Sequence, residues 1–329
     1  MTPRMERKVY FNGNIIPESQ ARVSIYDSSL MFGDMVFEMT RSFNKVQFKL
    51  REHLQRLYDS IKYVRIPVEM SMSEMEEHIM EVIALNDPLF TSDDEHRVMV
   101  NVSRGLLSIY QDVVGAEKGP NIIIADFPLR WTVASMGPLY DSGINAVIPS
   151  QRAIPAWLLE PKVKNRSRLH YLMANIEVSQ VAGENNWALL MDPDGFIAEG
   201  TGDNFFLVKD GYLSTPEGRN ILRGISRRYV MEELAPALGI PCREKNLELY
   251  DVMTADEAFF TGTPFCILPV TSINSVPIGT GKMGPVTRPL LDRWSRNVGV
   301  DIIAQIKRWG KSRKPGAGSP SPYSFKGKS

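Results

Sequence analysis

The stretch PKVKNRSRLHYLMANIE, residues 161–177, guides the interpretation of the whole chain. It opens with two lysines, Lys162 and Lys164, after an apolar approach marked by prolines. Four apolar residues then recur at three- and four-residue spacing, which predicts one face of a helix: Leu169, Leu172, Met173 and Ile176. A lysine before a helix is either a solvated surface cation or an amine held for Schiff-base chemistry. The rest of the chain has to decide between these two interpretations.

Length, charge and cysteine content limit the class of protein. The 329 residues are enough for one large or two medium domains. A balance of 38 Lys+Arg against 38 Asp+Glu gives no support to a nucleic-acid-binding surface. No apolar run has the length of a membrane span, and the first residues lack the apolar core of a secretory signal. Cys242 and Cys266 are too few for a disulfide framework and lack metal-site spacing, so we expect a cytoplasmic protein without a metal.

The first half of the chain predicts an α+β domain over residues 1–142. Asn12-Gly13 and Asn44-Lys45 each lie between strand-like segments and indicate hairpins. Two amphipathic helices follow, the second opened by Ser71 or Ser73 as N-cap. Further strands near residues 98–102 and 121–125 complete an antiparallel sheet with helices on one side.

The second half begins after a link rich in turn residues, 143–160, which we take as the domain boundary. Residues 161–309 alternate helices and strands and form the predicted C-terminal domain. Residues 310–329 are mostly Gly, Ser, Pro and Lys, which predicts a disordered tail.

Three further segments contain residues able to carry chemistry. Glu199 lies at the end of an apolar strand and is either a turn residue or an anion aimed into a pocket. Gly224, Ile225 and Ser226 open a helix, whose first N–H groups can bind a phosphate, although most such starts are routine. Thr263 follows a strand and either completes a phosphate cup or belongs to a turn. Dinucleotide, P-loop and HExxH motifs are missing, and the Gly200–Asn204 loop leads into a strand, so a Rossmann fold is excluded.

Taken in order, these stretches resemble the class IV, or fold-type IV, pyridoxal-phosphate-dependent aminotransferases. The resemblance extends from VYFNG near residue 9 to GKMGPVTRPL near residue 290. It is carried by SIYDSSLMFGDMVFEMTRSF, LREHLQRLYDS, PKVKNRSRLHYLMANIE, GFIAEGTGDNFFLVKDGYLSTP, ILRGISRRYV and FFTGTPFCILPV. The resemblance implies the two-domain fold of D-amino acid aminotransferase-like enzymes, with a smaller α+β N-terminal domain, a larger barrel-like C-terminal domain and a homodimer.

The resemblance also assigns roles to residues of this chain. The family's Schiff-base lysine falls on Lys164, which keeps the usual spacing to Glu177 and is therefore preferred to Lys162. The carboxylate at the pyridine nitrogen falls on Glu199, and the phosphate arginine on Arg56. The phosphate cup matches four residues: Gly224, Ile225, Ser226 and Thr263. The implied cofactor is pyridoxal 5′-phosphate, and the implied reaction moves an amino group from a small-molecule donor to a 2-oxo acid by ping-pong chemistry.

The substrate residues match the family less well. Phe37 and Arg41 keep positions of the branched-chain enzymes, whereas Met39 replaces a glycine. Arg97 and Met99 stand where those enzymes show tyrosine and arginine. The arginines that could bind a carboxylate, or could lie on the surface, are Arg41, Arg97, Arg130 and Arg152.

Apolar residues near the predicted site favour a hydrophobic, branched-chain-type amino acid as the substrate, although their apolar character also suits core packing. An R-selective amine or D-amino acid transaminase remains the alternative. An aminodeoxychorismate lyase is less favoured because Glu38 replaces a threonine common in lyases. A pyridoxal-phosphate-binding protein without turnover is disfavoured by the presence of both Lys164 and Glu199.

Overall fold

The computed structural model describes residues 6–112 and 118–312. Its contacts divide these residues into two compact units. The first unit contains residues 6–131 and the short segment 163–168, and the second contains residues 132–162 and 169–312. The last helix, Ile302–Lys311, extends into the predicted tail, and residues 313–329 of that tail lie outside the described residues.

The first unit is a five-stranded antiparallel sheet with helices packed against it, in the strand order β2-β1-β7-β6-β3. Its elements are β1 (Lys8–Phe11), β2 (Asn14–Pro17), α1 (Ser28–Phe32), β3 (Met35–Met39), β4 (Ser42–Phe43), β5 (Val46–Gln47), α2 (Leu50–Val64), α3 (Met72–Asn86), β6 (His96–Ser103), β7 (Asn121–Pro128) and α4 (Arg130–Val133), whose last two residues belong to the second unit. The core forms where α2 and α3 bury Leu54, Leu57 and Ile79 against the sheet.

Local sequence signals explain how this unit is built. Asn12 and Gly13 both have positive φ angles, as the tight turn between β1 and β2 requires, so the predicted hairpin is confirmed. Asn44 and Lys45 connect β4 and β5 in the same way. Ser71, rather than Ser73, caps α3 and forms a reciprocal capping box with Glu74.

The segment after Lys162 extends the first unit at the β3 edge. Phe37 N donates to Lys164 O (2.9 Å), and Arg166 N donates to Met35 O (2.9 Å). Val36 and Asn165 form an antiparallel bridge between these hydrogen bonds. Lys164 therefore lies on an extended strand-like segment that is fixed to the sheet by its backbone.

The second unit contains a closed six-stranded barrel, because β10 pairs with both β9 and β11 at the ends of the order β10-β9-β8-β15-β14-β11. Its elements are α5 (Leu139–Ser142), β8 (Ile144–Val147), α6 (Leu169–Ser179), β9 (Asn186–Met191), β10 (Ile197–Gly200), β11 (Asn204–Lys209), β12 (Tyr212–Thr215), α7 (Ile225–Tyr229), a π-helical segment (Val230–Leu234), α8 (Ala235–Ala237), β13 (Cys242–Glu244), α9 (Leu249–Met253), β14 (Glu257–Gly262), β15 (Cys266–Ile273), β16 (Val276–Pro277), α10 (Thr287–Val298) and α11 (Ile302–Lys311). The predicted barrel-like C-terminal part is confirmed.

The predicted helix after Lys164 is present as α6, but its buried face differs from the predicted one. Ala174 and Val178 are the fully buried residues of α6, and they pack with Ala188 and Leu190 of β9. Leu169, which belongs to the predicted apolar stripe, is 68% exposed. Small residues allow the helix to approach the strand closely, so the larger apolar side chains lie on another face.

Candidate active site

Lys164 lies in the first unit beside an aromatic ring. Its Nζ is 4.8 Å from the centroid of the Phe37 ring, and its backbone N–H donates to Ser60 Oγ (3.4 Å). Phe37 is buried on β3. The ring and the backbone pairing with β3 hold the half-buried lysine in one place, as a reacting amine requires.

Lys162 has a different environment. Its Nζ forms an ion pair with Glu160 (2.6 Å) and donates to Arg219 O (3.1 Å). A lysine engaged in this way is an ordinary surface cation. Lys164, rather than Lys162, therefore stays our prediction for the reacting amine.

Arg56, the predicted phosphate arginine, forms a fork with a buried carboxylate. Its Nε and Nη2 donate to Glu38 Oε1 (2.6 Å) and Oε2 (2.9 Å), and His53 Nδ1 donates to Oε2 (2.8 Å). Burial raises the pKa of Glu38, but the Arg56 charge and the contacts with His53 outweigh it and hold this pKa well below the usual range. Burial lowers the pKa of His53. Two of the Arg56 nitrogens are thus bonded to Glu38, which fixes the position of the guanidinium.

Glu199 is a buried, hydrogen-bonded carboxylate of the second unit. It is buried at the end of β10 and accepts hydrogen bonds from Tyr171 Oη (2.7 Å), Asn204 Nδ2 (3.0 Å) and Leu222 N (3.0 Å). A carboxylate can accept several such bonds at once, since each oxygen has two lone pairs. Three donors from different elements therefore fix its position.

The predicted phosphate helix begins at Gly224 and continues from α7 through the π-helical segment into α8. A Cβ on Gly224 would lie 2.1 Å from Asn204 Oδ1, so the position requires glycine. Asn204 also donates to Leu222 O (2.9 Å) and thus connects the helix start to Glu199. Ile225 and Ser226 form the buried first turn, where backbone N–H groups have no acceptor within the helix. Thr263 is half-buried in the turn after β14.

The arginines considered for a carboxylate site fall into different environments. Arg130 pairs with Asp93 (2.7 Å) and with Asp94, so it belongs to a surface ion-pair cluster. Arg41 and Arg97 are both buried in the first unit, and Arg97 Nη2 lies 3.7 Å from Met39 Sδ. Arg152 is exposed.

Several residues of these networks escaped the sequence analysis. Tyr171 and Asn204 hold Glu199, and His53 shares Glu38 with Arg56. Arg166 stacks on Phe37 with its Cζ 3.7 Å from the ring centroid and donates to Asn101 Oδ1 (2.7 Å). Its spacing from Lys164 along an extended segment places both on one side of the chain, a signal that could have identified it.

Together, these residues and the two folded units define a class of protein. A positioned lysine, a fixed buried carboxylate and a glycine-opened helix start, combined with a sheet unit and a six-stranded barrel unit, are the features of fold-type IV enzymes that use pyridoxal phosphate. The amine can bind the aldehyde, the carboxylate can accept a bond from the ring nitrogen, and the helix start can bind the phosphate. The residues present thus fit this cofactor.

Comparison with known proteins supports the assignment to this class. The pattern of the amino-transferase class IV family matches residues 35–273, and the chain belongs to this family. The chain is 33% identical over 294 residues to the branched-chain-amino-acid aminotransferase of Escherichia coli strain K12, covering 88% of this chain and 92% of that protein. A Methanocaldococcus jannaschii protein, provisionally named a branched-chain-amino-acid aminotransferase, is 36% identical over 289 residues, covering 87% of this chain and 95% of that protein.

Solved structures show the same relationship. The E. coli branched-chain amino acid aminotransferase superposes with a TM-score of 0.77 at 31% identity, covering 88% of this chain and 94% of that one. The Thermobaculum terrenum enzyme in its pyridoxal-phosphate form gives a TM-score of 0.77 at 26% identity, covering 93% and 97%. The predictions of the family, the fold type and a pyridoxal-phosphate-dependent transaminase are confirmed. Among the residues that the structure describes, no helix has the length and apolar character to cross a membrane.

Proposed function

We propose that this chain transfers the amino group of a hydrophobic, branched-chain-type amino acid to a 2-oxo acid, with pyridoxal 5′-phosphate as cofactor. The observation that carries the proposal is the buried Glu199 carboxylate, held by three donors. Such an anion suits a protonated ring nitrogen, and the names of the similar proteins support a branched-chain substrate.

Each predicted cofactor residue has a definite task in this proposal. Glu199 would keep the ring nitrogen protonated, and the bound cofactor would supply a ring that accepts electrons from the substrate. The N–H groups of Ile225 and Ser226, the Thr263 hydroxyl and the Arg56 guanidinium bind the phosphate. Gly224 allows the helix start to lie against Asn204.

Lys164 is the group that moves the proton. A lysine amine is ordinarily protonated, with a pKa of roughly 10.4, and must lose that proton before it can react. Lys164 Nζ then takes the proton from the substrate Cα, a role that contributes typically about 10²- to 10⁴-fold to the rate. Phe37 provides an apolar surface beside this amine, and Phe37 and Met39 contact the substrate side chain in our proposal.

Self-association into a homodimer is part of the proposal. The first unit exposes an apolar patch made of five residues: Ile25, Leu30, Met31, Phe32 and Ile109. The two segments that form it adjoin each other, since Ser28 N donates to Gly105 O (2.8 Å) and Tyr26 stacks on Tyr110 at 5.0 Å. Exposed apolar surface of this kind marks an interaction site. Cys242 and Cys266 are not joined in a disulfide, which suits the proposed cytoplasmic location.

The visible absorption spectrum of the purified holoenzyme tests the function. We expect a cofactor band that L-leucine removes and a 2-oxo acid restores, whereas D-leucine and an R-amine leave it unchanged. Lys164→Ala should abolish this cycle, and Lys162→Ala should retain it, because Lys162 is engaged with Glu160 and Arg219. A band insensitive to every donor, or full turnover by Lys164→Ala, would contradict the proposal.

A further inference from the structure

Arg97 has a buried guanidinium without a matching acceptor. The residue lies on β6 with 6% of its surface exposed. No described residue accepts a hydrogen bond from its Nε or Nη1, and the neighbour of Nη2 is a weak acceptor, Met39 Sδ at 3.7 Å. Burying a charged group without partners is costly, so such groups in proteins are normally paired.

A second buried guanidinium makes the arrangement more unfavourable. Burial and the charge of Arg41 lower the pKa of Arg97 to about 9. Arg41 is itself buried, with its Cζ 3.7 Å from the centroid of the Phe43 ring and its Nε donating to Ser42 O (3.1 Å). An anion bound to Arg97 would offset both the burial of this charge and the repulsion from Arg41.

Arg97 also lies on the side of the sheet where Lys164 is found. Arg97 contacts Met39, which is two positions from Phe37 on β3. The Met39 and Phe37 side chains therefore share one face of the sheet and lie roughly 7 Å apart along the strand. Lys164 Nζ lies over the Phe37 ring. A carboxylate bound by Arg97 would therefore lie on the same face of the sheet as the Lys164 amine.

We propose that Arg97, positioned beside Arg41, binds the carboxylate of the amino acid and of the 2-oxo acid, and that it makes the enzyme select carboxylate substrates over simple amines. This inference rests on the proposed function. A guanidinium can bind a carboxylate through two parallel hydrogen bonds, which suits the Arg97 Nε and Nη1 donors that lack an acceptor among the described residues. Arg130 is unsuited to the role because Asp93 and Asp94 already bind it.

The test compares binding of 4-methylpentanoate with binding of its neutral isostere 4-methylpentanamide to the holoenzyme, by calorimetry. The wild type should bind the carboxylate roughly tenfold or more tightly, as expected for charge-assisted hydrogen bonds. Arg97→Met should abolish this preference, and Arg97→Lys should keep part of it because it retains the charge but loses the fork. Arg51→Met is the matched control, since Arg51 is an exposed arginine of the same unit paired with Glu76.

Steady-state kinetics supply a second measurement. Arg97→Met should raise KM for L-leucine by roughly 10- to 100-fold with a smaller change in kcat. The inference is overturned if Arg97→Met keeps the carboxylate preference of the wild type, or if the wild type shows no such preference. Either result counts even when leucine is turned over. Absence of any spectral response to leucine in the wild type would instead contradict the proposed function. Should Arg97→Met not fold, a carboxylate preference in Arg97→Lys equal to that of the wild type overturns the inference.

Discussion

Glu199 shows how a single residue is prepared for its task by neighbours distant in sequence. Tyr171 comes from α6, Asn204 from β11 and Leu222 from the loop before α7, yet all three donate to one carboxylate. Every one of these donors needs an acceptor. An amide at position 199 would present a donor to at least one of them and would also lose the charge.

Glu199→Gln should therefore impair the enzyme in two ways. We expect kcat to fall by roughly 10²-fold or more, because the ring nitrogen loses its anionic partner. We also expect a stability loss of about 1–3 kcal/mol from the mismatched donor. Turnover assays and urea unfolding measure these effects, with the exposed Glu232→Gln as control. A Glu199→Gln enzyme with wild-type kcat would contradict the assigned role.

At the scale of single residues, the reacting groups could be predicted from the sequence, but the side chains that hold them in position could not. Lys164 and Glu199 stand in recognisable local motifs, so they could be predicted. Tyr171 could not be singled out from its helix, because its partner Glu199 lies 28 residues further along the chain, on β10. Arg97 was one of four equivalent arginines until burial separated it from Arg130.

At the scale of elements, a buried histidine connects β6, β7 and the turn after α3. His96 Nδ1 donates to Asp126 Oδ2 (2.8 Å), and Nε2 donates to Asp87 Oδ1 (2.9 Å). Burial alone would lower the pKa of His96, but the hydrogen bonds and charges of these carboxylates raise it. Burial raises the pKa of Asp126. Two carboxylate acceptors require both ring nitrogens to carry protons, so the imidazolium is the form that stabilises the fold.

The sign of these shifts predicts how stability depends on pH. The pKa of His96 is higher in the folded protein than in the unfolded chain, where it is roughly 6.5. The contribution of His96 to the free energy of unfolding is therefore complete below this unfolded pKa, and it is lost as the pH rises through the folded pKa. The raised pKa of Asp126 also lowers stability as pH rises, but this effect begins in the acid range, from the unfolded value of 3.8 upward. We expect His96→Gln to cost about 1–3 kcal/mol at pH 6 and less at alkaline pH.

Urea unfolding of the wild type and the variant at several pH values from 6 to 9 measures this difference. His78→Gln is the control, since His78 is only half-buried on α3 and has, among the described residues, a single carboxylate neighbour at hydrogen-bond distance, Glu81 at 3.3 Å. A difference between wild type and His96→Gln that stays constant over this range would show that the protonated imidazole is not what stabilises these elements.

Element types were predictable where local chemistry decides them, as at the Asn12-Gly13 turn and the Ser71 cap. The buried face of α6 was not, because the apolar spacing of Leu169 and Met173 is the usual sign of a core face. In the fold, Ala174 and Val178 take that position against β9. Burial depends on which partner a helix finds, and a single helix sequence does not specify its partner.

At the scale of the whole molecule, closure of the barrel is the feature that local sequence signals predicted least well. The pairing of β10 with β11 joins Glu199 to Asn204 in register, and thereby completes both the barrel and the carboxylate network. One pairing thus has a structural and a chemical consequence. The resemblance to a known family, rather than periodicity, made the barrel predictable.

The apolar patch of the first unit yields a prediction about assembly. Ile25 and Ile109 are 74% and 76% exposed and lie on the two adjoining segments of the patch. If a second copy covers these side chains, a carboxylate at either position would be buried without a partner. Ile25→Glu and Ile109→Glu should each weaken the dimer by roughly tenfold or more, measured as a dissociation constant by sedimentation.

The control for assembly is Tyr250→Glu, which adds the same charge at a residue that is 73% exposed on α9 of the second unit. It should sediment like the wild type. Because the two isoleucines are exposed in the single chain, neither substitution should change the folding of the monomer, and circular dichroism checks this. Loss of association without loss of structure would locate the interface on the patch. Unchanged sedimentation of both patch variants would mean that the dimer, where it forms, uses another surface.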